Sequence, residues 1–342
     1  MVQLPEHGYF RLYRLQQKAL LFPIRTAHQL LRHVGKTKHE VADSASEALK
    51  AAYEQLLRDE WQSVEQGYYP KSILFDFPFT RYALHLPLLT AEFFRVHRRM
   101  RQGNYKDLPE VADATRYPKY YLRNFHWQSD GYFSKHSARL YDLSVEFLFL
   151  GTADVMRRQI LTPMARHLKR DPSRAAHMLD VACGTGRSLR FISKAFPNIQ
   201  ATGLDLSPFY LEQAKKTVQH DPMVSLVQGN AETLPFDDHS FDIVSSTYLF
   251  HELPRAVRRT VMSEMDRVLK PGGLLVLEDS AQPSEAQDLA VFLGSFAADF
   301  HEPYYRDYLR DELLELMPDH YQGKQQRRAF VSKVAWAIKP SA

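Results

Sequence analysis

Two short segments of this chain hold residues whose types and spacing suit chemistry at a ligand. The first is Leu179-Asp180-Val181-Ala182-Cys183-Gly184-Thr185-Gly186-Arg187-Ser188. Glycines at 184 and 186 allow a tight turn and let backbone amides approach a ligand with no Cβ in the way. As a dinucleotide fingerprint G-x-G-x-x-G it fails at the third glycine, where Leu189 stands. Alone, the segment also reads as a plain strand-to-helix turn. The second is Thr202-Gly203-Leu204-Asp205-Leu206-Ser207-Pro208. An acid at the end of a second strand can accept from both hydroxyls of a ribose, and Ser207-Pro208 suits the cap and first turn of a helix.

A third segment, Gln228-Gly229-Asn230-Ala231-Glu232-Thr233-Leu234-Pro235-Phe236, falls where the loop after a third strand belongs. Candidates for acid, base or orienting roles follow at His251, Glu252, Asp279 and His301, near strand ends or the loops beyond them. His251 reads either as substrate-facing or as part of a helix entry, and Glu252 as structural. Tyr304, Tyr305 and Tyr308 beside His301 suit stacking on a planar substrate or packing in a core. The histidines show no paired spacing with carboxylates, so no metal site is expected. Cys183 reads as a packing residue of the glycine turn.

These residues need a scaffold, and the pattern around them supplies one. Residues 175–182, 241–250 and 273–280 are short, nearly continuous apolar runs, as in strands buried on both faces of a parallel sheet. Helical patterns separate them, including Arg255 to Leu269 with Val257, Val261, Met265, Val268 and Leu269 on one side. The alternation argues for an α/β fold with a doubly wound, mostly parallel sheet, whose ligand loops share one edge. Strand order is not readable.

The earlier half has a different style. Ser44 with Glu47 forms a capping-box pattern, opening a helix with Leu49, Tyr53, Leu56, Leu57, Trp61 and Val64 on one face and Gly67 as its stop. Pro70, Pro78 and Pro87 then divide short apolar pieces. Residues 140–168 are again apolar with charges at helical spacing, and 170–174 look like a connector. The expected organisation is a mainly α-helical N-terminal domain, residues 1–150, and an α/β domain, residues 151–342.

In order, LDVACGTG, GLDLSP, QGNAETLPF, SFDIV and RVLKPGGLLVLED resemble the class I S-adenosylmethionine-dependent methyltransferases, nearest the branch of ubiquinone and menaquinone biosynthesis C-methyltransferases. The resemblance covers about residues 175–280. It implies a Rossmann-like methyltransferase fold with S-adenosyl-L-methionine as cofactor. It also implies that Asp180 and the backbone from Ala182 through Gly184, Thr185 and Gly186 hold the cofactor's methionine part. Asp205 would then bind the ribose, Leu206 pack on adenine, Asn230 and Ala231 meet the adenine edge, and Thr247 line the floor. Ala182 departs from the glycine of many relatives, which leaves the backbone less free. His251-Glu252-Leu253-Pro254 resembles a His-Glu-Leu-Pro sequence of the same branch.

The acceptor is narrowed by what is missing. The stretch Thr247-Tyr248-Leu249-Phe250-His251-Glu252-Leu253-Pro254, after the expected fourth strand, lacks the [Asp/Asn/Ser]-Pro-Pro-[Tyr/Phe] loop of exocyclic-amine nucleic-acid methyltransferases. The single cysteine lies in the glycine turn, so a cytosine-C5 nucleophile is lacking too. No strongly basic patch with interleaved aromatics appears. The expectation is methyl transfer to a small, hydrophobic or aromatic molecule at carbon or oxygen, with His251, Asp279 and His301 as the catalytic candidates. Rival readings are a methyltransferase that docks a protein or RNA through its N-terminal half, and a partner protein that binds the cofactor without turnover.

The aromatic-rich segment from Tyr117 to Phe149 suggests a substrate lid, or an extra helical core. Charge is uneven: residues 1–150 sum to +5 and the remainder to −1, within a total of +4. Lack of a secretory pattern in MVQLPEHGYFRLYRLQQ and one cysteine fit a cytoplasmic protein, and no run is long enough to span a bilayer. The basic, partly amphipathic stretch Phe10 to Leu31 leaves peripheral membrane contact open. Oligomeric state is not legible.

Overall fold

The computed structural model describes residues 8–19, 43–149, 151–169, 176–289, 293–294 and 300–341. Seven strands form one sheet in the order β3-β2-β1-β4-β5-β7-β6. They are β1 (His177–Val181), β2 (Gln200–Asp205), β3 (Val224–Gln228), β4 (Phe241–Thr247), β5 (Leu269–Ser280), β6 (Gln322–Ala329) and β7 (Ser332–Ile338). The first five are parallel; β7 runs antiparallel to β5 and forms a hairpin with β6. The apolar runs form the centre because both their faces are covered: Met178, Leu179 and Val181 of β1 and Ile243 and Val244 of β4 have no exposed surface. The chain order reverses direction between β1 and β4, and the crevice beyond the carboxyl ends of strands at such a point is where open α/β sheets bind ligands.

Helices α7 (Arg187–Ala195), α8 (Pro208–Thr217) and α9 (Arg255–Val268) connect the parallel strands. α8 starts as its sequence dictates: Ser207 Oγ accepts the Tyr210 N–H at 3.3 Å, and Pro208 occupies the first turn, where its missing N–H costs nothing.

The region before the sheet is helical: α1 (8–19), α2 (Asp43–Glu65), α3 (Phe79–Gln102), α4 (Lys135–Leu148), α5 (Ala153–Arg157) and α6 (Leu161–Leu168). α2 buries the anticipated face, with Tyr53, Leu56, Leu57 and Trp61 inside, and Gly67 follows its end at φ +67°. Pro87 departs from expectation. It lies inside α3 and does not divide it. Pro87 and Ala83, four residues back, both face solvent, where water can satisfy the carbonyl that the proline leaves unbonded. The connector expected at 170–174 and most of the stretch Phe10 to Leu31 lie outside the described residues.

The helical region shares the sheet's core. One apolar cluster joins Tyr13, Leu56, Leu57, Ile73 and Met164 to Met178, Ile243 and Val276 of the strands. Its buried polar centre is Glu60, which takes the Arg158 guanidinium at 2.5 and 3.1 Å and the Tyr13 hydroxyl.

Candidate active site

Three loops leave the carboxyl ends of β1, β2 and β3 side by side and wall a cleft enclosing about 770 Å³ of empty space, part of it open to solvent. Ala182, Gly184, Asp205, Leu206, Asn230, Ala231 and Thr247 line it, so seven of the ten expected cofactor residues meet there. The β1 turn holds its shape by left-handed backbone at Ala182, Gly184 and Gly186, with φ of 58, 56 and 74°. A Cβ at Gly184 would point into open space, whereas one at Gly186 would stand 3.0 Å from Ala214 Cβ. Gly184 therefore opens the floor of the cleft, and Gly186 lets α7 approach α8.

Asp205 Oδ2 accepts the Gly184 N–H and Oδ1 the Ser207 N–H, each at 2.8 Å, so this carboxylate ties the first two loops together. Burial pushes its pKa up to about 6, against the pull of those N–H donors. Asp180 sits deeper and does not line the cleft. Burial raises it to about 7, opposed by the Ser245 hydroxyl that donates to its Oδ1 at 2.7 Å. Thr185 and Gly186 also stay out of the cleft. The Thr185 hydroxyl donates to Asp142 of α4 at 2.5 Å.

Aromatic side chains from the helical region close the cleft: Tyr120, Tyr121, Phe125, Tyr132 and Tyr141 line it opposite the loops. They are fastened to the sheet side by polar contacts. The Tyr120 hydroxyl donates to Glu232 at 2.8 Å, Ser207 Oγ donates to the Tyr132 carbonyl at 2.6 Å, and the Tyr132 hydroxyl donates to Glu252 at 2.5 Å.

A second cavity, enclosing about 560 Å³ of empty space with part of it open to solvent, abuts the first through Tyr141, Tyr248 and Glu252. Its walls include Val145, Leu148, Phe149, Leu293 and Val331, with His126, His251 and Ser280 among them. His251 is fixed from behind. Asp279, fully buried, accepts from His251 Nδ1 at 2.6 Å and from the Phe250 and Ser280 N–H groups at 2.7 Å each. Three donors around one carboxylate put the proton on Nδ1 and leave Nε2 as the exchangeable edge. Burial disfavours the imidazolium, but the Asp279 charge and hydrogen bond outweigh it and hold the ring up at about 9.

His301 is not in this arrangement. It lines neither cavity; its ring stacks on Tyr105 at 4.5 Å and leans on Trp127 at 4.8 Å. Burial, with the Arg123 and His126 charges, lowers its pKa to about 4, so the ring is neutral there. Tyr305 and Tyr308 belong to the core, with Tyr305 also reaching the second cavity.

One cluster has no signature in the sequence. His126 Nε2 stands 3.3 Å from Glu252 Oε1, and its Nδ1 3.0 Å from Glu302 Oε1. Burial opposes the charge on His126, yet Glu302 and Glu252 together raise it to about 10. Donor atoms of the three lie within 4.8 Å of one another. The types are those of metal ligands, a grouping that the spacing of histidines and carboxylates in the sequence does not suggest. The positive φ of His126 (53°) and Trp127 (58°) marks the bend that turns the ring inward.

The cleft suits a nucleoside cofactor on its own geometry: an open glycine floor and a carboxylate at the end of β2. Residues 178–273 match the family model described as a methyltransferase domain. The chain carries a class I methyltransferase domain. That domain class uses S-adenosyl-L-methionine. Over 122 residues the chain is 38% identical to an uncharacterized methyltransferase of Synechocystis sp., covering 35% of this chain and 55% of that one. Over 123 residues it is 40% identical to a demethylmenaquinone methyltransferase of Staphylococcus aureus, covering 36% and 48%. The chain thus spans about half the length of the curated relatives it matches. Among solved structures, the CurJ carbon methyltransferase aligns over 60% of this chain and 61% of its own, at 18% identity and a TM-score of 0.46. Among the described residues, no helix is long and apolar enough to cross a membrane.

Proposed function

We propose that this chain transfers the methyl group of S-adenosylmethionine to a small apolar or aromatic molecule at carbon or oxygen, with His251 taking the acceptor's proton. The observation that carries this reading is the second cavity, walled mainly by apolar side chains, sharing Tyr141, Tyr248 and Glu252 with the cofactor cleft and furnished with an imidazole that a buried carboxylate orients. The relative named as a demethylmenaquinone methyltransferase supports a small-molecule acceptor.

The cofactor, when bound, supplies a methyl group already activated on a sulfonium, so the chain's task is alignment, exclusion of water and one proton. Asp205 and Asn230 would hold the nucleoside, and the backbone amides around Gly184 the methionine end. Tyr141 and Tyr248 stand between the two cavities and would set the acceptor's approach. His251 accepts at Nε2, and Asp279 stabilises the imidazolium that results. With the ring held at about 9, about 1% of it is neutral at pH 7. Turnover is therefore expected to rise with pH up to about 9.

The test is labelled S-adenosylmethionine with a panel of phenols and quinols, followed by calorimetry on the same protein. His251→Gln should lose about 10²–10⁴-fold in transfer while cofactor affinity holds. Transfer that survives the substitution unchanged removes His251 from the mechanism. Absence of cofactor binding by the wild type removes the reading altogether.

A further inference from the structure

Helix α3 (Phe79–Gln102) buries Tyr82, Glu92 and Arg99 and turns the opposite arc to solvent. On that arc Phe79, Leu84, Leu86, Leu88 and Phe94 are 51, 72, 51, 38 and 57% exposed. At about 100° per residue they share one half of the helix surface. Arg95, Arg98 and Arg101 continue the same arc through the last turns, all exposed. The helix's one acid, Glu92, is turned inward, where it accepts the Ser129 N–H at 2.8 Å. The outward face therefore runs from hydrocarbon to guanidinium with no exposed carboxylate. Contiguous apolar surface of this kind on a folded chain marks a contact.

We propose that this face of α3 docks on an anionic lipid bilayer, lying in the interface with its leucines and phenylalanines among the acyl chains and its arginines at the phosphates. Charge selects this occupant. Residues 20–42 of the same chain carry Arg25, Arg32, Lys36 and Lys38 against Glu40 alone, so laying them on α3 would set cation on cation. A second copy would bring the same arginines. A phosphate-rich surface satisfies both ends of the face. The buried side of α3 fixes the orientation relative to the site. Arg99 Nη1 donates to the Trp127 carbonyl at 2.6 Å, and Arg81 pairs with Asp142 at 3.3 Å, so the docked helix is anchored to the layer that closes the cleft. The inference stands on α3 and not on the identity of the methyl acceptor.

Vesicle flotation of the full chain tests it, using phosphatidylcholine alone and phosphatidylcholine with phosphatidylglycerol, at low and high salt. Wild type should float with the anionic vesicles and be released by salt. Arg95→Gln/Arg98→Gln/Arg101→Gln should lower partitioning about a hundredfold. Leu84→Ser/Leu88→Ser/Phe94→Ser should lower it at least about tenfold. Circular dichroism and melting temperature should stay unchanged, since all six residues are exposed. Failure of wild type to float, or equal flotation with neutral vesicles, overturns the proposal. So does a wild-type dimer, seen by light scattering, that the apolar triple variant dissociates, because the face then belongs to a second copy.

Discussion

Replacing Asp279 by asparagine keeps the side chain's shape and removes its charge, and the consequence for His251 follows from the site. The ring now titrates at about 9 against an ordinary 6.5, a difference of about 3 kcal/mol in favour of the charged form. Burial alone acts in the other direction. Without the carboxylate, only the weaker pulls of Glu302 and Glu252 still favour the imidazolium, and His251 should fall well below 9. The chain has 15 histidines, so the Cε1–H signal is assigned by its loss in His251→Gln and followed from pH 5 to 10 in both proteins. Stability should carry the same signature. A histidine raised on folding adds stability that is complete below its unfolded value and disappears as pH rises through about 9. The melting difference between wild type and Asp279→Asn should therefore be largest near pH 6 and shrink by pH 10. A constant remainder of about 1–3 kcal/mol is expected, because the new amide faces N–H groups that the carboxylate accepted. If His251 still titrates near 9 in the variant, or the melting difference does not change with pH, Asp279 is not what holds the proton.

Two further substitutions probe the cofactor turn. Asp205→Asn should weaken S-adenosylmethionine binding about tenfold or more by calorimetry, through loss of a charged acceptor for ribose hydroxyls. Alanine there is the poorer test, because it would leave the Gly184 and Ser207 amides unpaired, and undiminished affinity in the asparagine variant would move the ribose elsewhere. Ala182→Gly relieves a left-handed residue at φ 58° and should raise stability by about 0.5–1 kcal/mol in chemical melts, and a loss of stability would mean that the alanine methyl packs usefully.

What was legible in the sequence was local. The glycine turn, the acid ending β2, the Ser207-Pro208 helix start and α9 each lie within a window of about fifteen residues, where periodicity and capping residues speak directly. The β6–β7 hairpin was missed because edge strand β6 reads Gln-Gly-Lys-Gln-Gln-Arg-Arg-Ala, a polar string whose charges guard an open edge and hide its strand character. His251 and Asp279 were each picked out, but their pairing was not. They stand 28 residues apart and meet only because β4 and β5 are neighbours. His126, Glu252 and Glu302 come from the aromatic segment, the loop after β4 and the tail of the chain, and no spacing rule links them. His301 reads as a candidate from its place beside Tyr304, Tyr305 and Tyr308, yet its ring packs on Tyr105 and Trp127 and lines neither cavity.

The change of style after the connector expected at 170–174 suggests two units, yet the glycine turn is built from both sides of it. Thr185 donates to Asp142 of α4, and Arg187 makes a two-pronged pair with Asp154 of α5 at 3.0 and 2.6 Å. One turn further along α7, Arg190 grips Asp76, just ahead of α3, at 2.8 and 3.0 Å. The Arg187–Asp154 pair is buried, and removing one partner of such a pair costs about 3–5 kcal/mol. Thr185 and Arg187 therefore spend their side chains on the helices, and for that reason stay out of the cleft that their backbone shapes. The sheet supplies the loops, but the helical region fixes the angle at which the β1 turn presents its amides, and the same region carries the aromatic roof. The connector expected at 170–174 divides two sequence styles, whereas the site is assembled across it.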